Sequence, residues 1–119
     1  MQPTAWPELA TMLSGELKNL RGGATDVMKG FGTIAQAALK PGALDTKTKE
    51  LIALAISAAV RCDDCIAFHT KAAVDRGATR EEILETLGVA IYMGGGPAAM
   101  YASHALGAAT QFIDAKSNA

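Results

Sequence analysis

Apolar side chains recur along this chain at intervals of three and four residues, the spacing that lines one face of an α-helix, and no run shows the period-two alternation of a strand. The pattern predicts an all-α fold of about six helices. Leu9, Leu13, Leu17 and Leu20 set a first helix from Pro7 to Leu20, with Gly22-Gly23 stopping it. A second runs from Thr25 or Asp26 to Leu39, where Gly30 and Gly32 each weaken it by about 1 kcal/mol relative to alanine, and Pro41-Gly42 ends it. Asp45 or Thr46 caps a third, whose body from Glu50 to Val60 is apolar on nearly every face and reads as the central buried helix. A fourth begins around Cys62-Asp63-Asp64, where acidic residues suit the positive end of the helix dipole, and ends at Arg76-Gly77. Thr79-Arg80-Glu81-Glu82 has capping-box spacing and opens a fifth helix, with Ile83, Leu84, Leu87, Ala90 and Ile91 as its apolar stripe and Gly94-Gly95-Gly96 closing it. A sixth runs from Pro97 to about Ala115, lined by alanines that permit close helix approach, and the tail from Lys116 to Ala119 is expected to fray. Tyr92 and Met93 read as core or pocket lining. Because Gly94-Gly95-Gly96-Pro97 follows a helix instead of a strand and precedes no Lys-Ser/Thr pair, it reads as a helix junction, not a phosphate cradle.

Composition narrows the picture. A chain of 119 residues is expected to form a single domain over 1–119, and its 24 alanines against 6 aromatic residues predict an interior filled by small side chains. With 11 basic and 12 acidic residues the net charge is -1, which excludes the positive field that nucleic-acid backbones require. The N-terminus lacks the basic start and apolar stretch of a signal peptide, so a cytoplasmic location is expected. The longest apolar run, Leu51 to Val60, is far shorter than the roughly 18 residues of a membrane span, so no membrane partner is expected.

Two cysteines three positions apart are too few for a disulfide-stapled secreted fold and in a reducing compartment suggest chemistry. On a helix Cys62, Cys65 and His69 share one stripe. If the third and fourth helices form an antiparallel hairpin turning near Arg61, Glu50 faces position 72, one turn from His69. Helix N-terminal amides and Arg61 favour thiolate, whereas Asp63 and Asp64 oppose it. His69 can take the proton of Cys65, and Glu50 can orient the imidazole and stabilise its cation. Metal binding and simple packing are the other uses of a Cys-x-x-Cys pair. A structural zinc would need four ligands, and the remaining histidine, His104, stands apart among Ala and Ser and reads as a packed or hydrogen-bonded core residue.

Glu50, eleven residues, Cys62-x-x-Cys65, three residues and His69 together resemble the active-site signature of the alkylhydroperoxidase AhpD-like family, within the carboxymuconolactone decarboxylase superfamily. The framing segments are similar too: Leu44-Asp45-x-Lys47-x-Lys49-Glu50-Leu51-Ile52-Ala53-Leu54 before the motif and Ala90-x-Tyr92-Met93-Gly94-Gly95-Gly96-Pro97 after it, so that the resemblance spans about residues 30 to 112. It implies an all-helical subunit forming homotrimers or homohexamers, with a hydroperoxide or disulfide as substrate and an external dithiol as electron donor, and no metal or flavin. It further implies that Cys65 attacks peroxide, Cys62 resolves the sulfenic acid to a disulfide, and His69 with Glu50 relays the proton. The position before the second cysteine, often histidine in peroxidase members, is Asp64 here. The alternatives are an acid-base enzyme of the decarboxylase type acting on a small organic acid, and a non-catalytic helical oligomer.

Overall fold

The structure, a computed structural model, describes residues 4–118. Five helices follow one another: α1 (Trp6–Gly23), α2 (Thr25–Leu39), α3 (Thr46–Ala59), α4 (Asp63–Asp75) and α5 (Arg80–Ser117). The starts of α3 and α5 lie where the sequence places caps. The Asp45 carboxylate accepts the Thr48 N–H at 2.7 Å, and Thr48, first through its side-chain hydroxyl and then through this backbone bond, holds the Asp45 carboxyl below its ordinary value. Thr79 and Glu82 form the reciprocal capping box, Oγ1 accepting the Glu82 N–H and the Glu82 carboxylate accepting the Thr79 N–H. Glu82 also receives Lys47 Nζ at 2.8 Å, tying the start of α5 to α3; this ammonium, chiefly, lowers the Glu82 carboxyl and is itself raised by it.

The core lies where α3, α4 and α5 meet, closed at one side by the first turns of α1. Leu54 and Ala58 of α3, Ile66 and Ala73 of α4, and Ile83, Ala105 and Ala109 of α5 are fully enclosed there. Alanine on α5 is what lets its backbone approach the other helices closely, as the composition anticipates.

The continuous segment α5 consists of two helical limbs that meet at a kink: Gly95 leaves helical dihedrals (φ 72°, ψ -153°) with Pro97 just beyond, so the junction expected between a fifth and a sixth helix stands at the glycine run. Other expectations need correction. α3 is buried along one face only: Leu54 and Ala58 are enclosed, yet Ile52 is 44% and Ile56 55% exposed. Tyr92 and Met93, read as core or pocket lining, are 84% and 74% exposed. The tail expected to fray is helical as far as Ser117, where Lys116 Nζ donates to the Val74 carbonyl at 3.1 Å; Ala119, like Met1 to Pro3 of the N-terminal segment, lies outside the described residues. α1 also passes through Gly22 and Gly23, ending only at Ala24.

The glycine bend has a specific requirement. A side chain at Gly95 would occupy a dihedral region open almost only to glycine, and at Gly94 a Cβ would stand 2.5 Å from the Ala98 Cβ. Gly95→Ala is therefore expected to lower unfolding free energy by about 1–3 kcal/mol, read from urea denaturation; a wild-type midpoint would show that the bend relaxes freely.

Candidate functional site

The site is built at the turn between α3 and α4. Val60 caps α3, Arg61 adopts a left-handed conformation (φ 63°), and the Arg61 and Cys62 N–H groups donate back to the Ala58 and Ser57 carbonyls at 3.3 and 3.0 Å. That is the paired closure of a Schellman motif, made here with arginine where glycine is usual. Cys62 then serves twice, ending the cap of α3 and acting as N-cap of α4, its Sγ accepting the Cys65 N–H at 3.1 Å. The two cysteines are joined as a disulfide, with a Cα–Cα distance of 5.2 Å. Both are half-buried.

The antiparallel hairpin has the register the sequence arithmetic requires. Glu50 of α3 reaches His69 of α4, with Nδ1–H facing Oε2 at 3.4 Å. Glu50 is 3% exposed, and its other oxygen, Oε1, has no hydrogen-bond partner among the described residues. A carboxylate so enclosed is costly, because its lost hydration is returned by a single long contact. His69 is half-exposed, and with Nδ1 directed at Glu50 its Nε2 is left to exchange a proton elsewhere. Cys65 stands one turn before His69 on α4; with its sulfur in the disulfide, no hydrogen bond joins the two among the described residues. An open cleft of about 690 Å³ between α2, α3 and α4 is lined by Gln36, Leu39, Lys40, Thr46, Glu50 and Arg76.

The structure thus brings all four sequence-selected residues, Glu50, Cys62, Cys65 and His69, onto one helical hairpin. It adds a pair that sequence reasoning missed. His104 of α5 donates from Nδ1 to Asp63 Oδ1 at 2.8 Å, and its side chain is 43% exposed, so it is hydrogen-bonded but not a core residue. Forty-one positions separate the partners, and no local pattern could announce the contact. Among the described residues no three His, Cys, Asp or Glu side chains gather in a way that could hold a metal ion. No helix there is long and apolar enough to cross a membrane.

A family model described as carboxymuconolactone decarboxylase matches residues 25–108, across the hairpin and the glycine bend. The chain belongs to the carboxymuconolactone decarboxylase family. An uncharacterized Cupriavidus necator protein is 49% identical over 79 residues, 66% of this chain and 70% of that one. A Paracoccus denitrificans protein described by its place in the cox locus is 41% identical over 76 residues, 64% and 68% of the two chains. Among solved structures, a Legionella pneumophila protein of this family superposes with a TM-score of 0.87 at 49% identity, over 91% of this chain and 96% of that one. A Thermotoga maritima family member, for which involvement in an antioxidative response has been suggested, gives 0.84 at 35% identity over 92% and 93%. The motif-based resemblance to AhpD-like proteins of this superfamily agrees with these matches.

A buried carboxylate with one long contact costs stability. Glu50→Gln retains an oxygen for the His69 N–H while removing the charge, so it is expected to raise unfolding free energy by about 1 kcal/mol, measured by chemical denaturation. A less stable variant would mean that the charge itself holds the hairpin together.

Proposed function

We propose that the protein is a thiol-dependent peroxidase or dithiol-disulfide oxidoreductase whose redox centre is the Cys62–Cys65 pair. The observation that carries this reading is the pair's position: two sulfurs within bonding reach at the first turn of α4, on the same short hairpin as an imidazole held by a buried carboxylate. The antioxidative role suggested for the Thermotoga maritima relative supports it.

In the reduced protein His69 accepts the Cys65 proton, and the thiolate attacks the distal peroxide oxygen. The O–O bond breaks, the alcohol leaves with the proton returned by His69, and Cys65 becomes a sulfenic acid. The Cys62 thiol attacks that sulfur, expelling water and closing the disulfide, and an external dithiol restores both thiols while itself becoming a disulfide. Glu50 acts on the ring, fixing its tautomer and stabilising its cation. The first-turn amide that meets Cys62 Sγ is placed to stabilise the Cys62 thiolate as well.

Stopped-flow peroxide consumption with a panel of dithiols tests the reading. Cys65→Ser is expected to abolish turnover, Cys62→Ser to leave a single oxidation event without recycling, and His69→Ala to slow the reaction by about 10²–10⁴-fold. Turnover retained in Cys65→Ser would overturn it and favour acid-base chemistry through His69 and Glu50.

Self-association belongs to the same proposal. The chain exposes 7499 Å², against roughly 6,100 Å² for a compact monomer of its mass. α2 contributes no buried residue and leaves Val27, Phe31 and Ile34 on an open stripe, while α3 leaves Ile52 and Ile56 uncovered. Apolar area of this extent is what a homotrimer or homohexamer would cover. Light scattering at micromolar concentration is expected to give a multiple of 12.3 kDa; the monomer mass would exclude it.

A further inference from the structure

The redox turn carries a second imidazole–carboxylate pair for which the proposed chemistry has no use. Asp63 is the first residue of α4 and lies between the two cysteines, directly after Cys62. Its partner His104 comes from the far limb of α5 and is not held by Asp63 alone. The imidazole meets the Tyr101 ring edge-on at 5.2 Å and lies 6.4 Å from Trp6. Trp6 is buried and its backbone is anchored in turn, the main-chain N–H donating to Gln111 Oε1 while Gln111 Nε2 donates to the Thr4 carbonyl. α1, α4 and α5 therefore converge on one half-exposed contact.

As a stabilising ion pair this contact has little value, since pairs open to water contribute little. Its significance lies in its neighbour. A carboxylate next to Cys62 opposes thiolate formation, and a donor that occupies a lone pair of that carboxylate reduces the opposition, most of all when the donor is itself a cation. We propose that His104 is a positioning residue of the dithiol, acting through Asp63: it draws the Asp63 charge away from the cysteines and so raises the thiolate content of the reduced pair. The proposal rests on the reading of Cys62 and Cys65 as a redox centre, but it concerns the reduced protein before any substrate arrives.

The test is the thiolate absorbance of the fully reduced protein near neutral pH, with far-ultraviolet dichroism as the control for folding. The other charges of the turn, Arg61 and Asp64, stay in every variant. His104→Ala leaves Asp63 unpaired and is expected to lower the thiolate fraction by about two- to fivefold. Asp63→Asn can still accept the His104 N–H and should raise that fraction. In the double variant the His104→Ala effect should vanish, leaving the value of Asp63→Asn. Wild-type thiolate content in His104→Ala would overturn the proposal, as would a His104→Ala effect that persists undiminished when Asp63 is Asn. Should His104→Ala lose helix content, Asp63→Asn decides alone, and no rise in thiolate there refutes the idea. Peroxide inertness of the wild type beside the expected thiolate pattern would sink the peroxidase reading and leave this one standing.

Discussion

The constraint on which the site depends is the three-residue closure between α3 and α4. Val60, Arg61 and Cys62 must end one helix and begin the next without leaving the last carbonyls of α3 or the first amides of α4 unpaired. The solution places a cysteine at the one position that belongs to both caps, with its sulfur receiving the first-turn amide of α4. The same closure sets the antiparallel register, and the register in turn carries Glu50 to His69. A longer connection would have freed α4 to slide or rotate, and the imidazole would have lost its carboxylate. The left-handed arginine at the centre of this turn is the conformational cost of its shortness.

Around that hairpin the protein spends its large apolar residues unevenly. The enclosed core is narrow and rich in alanine, whereas Val27, Phe31, Ile34, Ile52 and Ile56 face outward. Small side chains explain both halves of this pattern. They let α5 lie close against α3 and α4, and a core so thin leaves no depth in which a second layer of large side chains could be hidden. The bend at Gly95 extends the same logic, since it turns the far limb of α5 back toward the α3–α4 hairpin and so brings His104 to Asp63. Gly94 has to be small for its own reason, the nearness of the Ala98 Cβ one turn on.

Relatives in the carboxymuconolactone decarboxylase family match this chain across the hairpin and the bend together. These two features are the parts in which backbone geometry and site chemistry coincide. The amphipathic α2 stands apart from both, with no enclosed residue of its own.

By itself the sequence determined what depends on neighbours within a turn or two. Helix starts were legible because their signals are local: Asp45 and Thr79 each satisfy an amide three positions on, and the acidic pair Asp63-Asp64 marks the first turn of α4. Glu50 and His69 were legible because a tight hairpin makes their separation a matter of arithmetic, and Cys62 with Cys65 because three residues are one turn. What only the tertiary structure decided depends on where a face points. An apolar residue reads the same whether or not anything lies against it, so Ile56, Tyr92 and Met93 looked buried and are not. Three successive glycines were legible as a helix junction, whereas the course the second limb takes beyond Gly95 is visible only in the structure. His104 was legible only as a lone imidazole, because a contact across forty-one residues exists when α1, α4 and α5 are packed together and at no earlier stage.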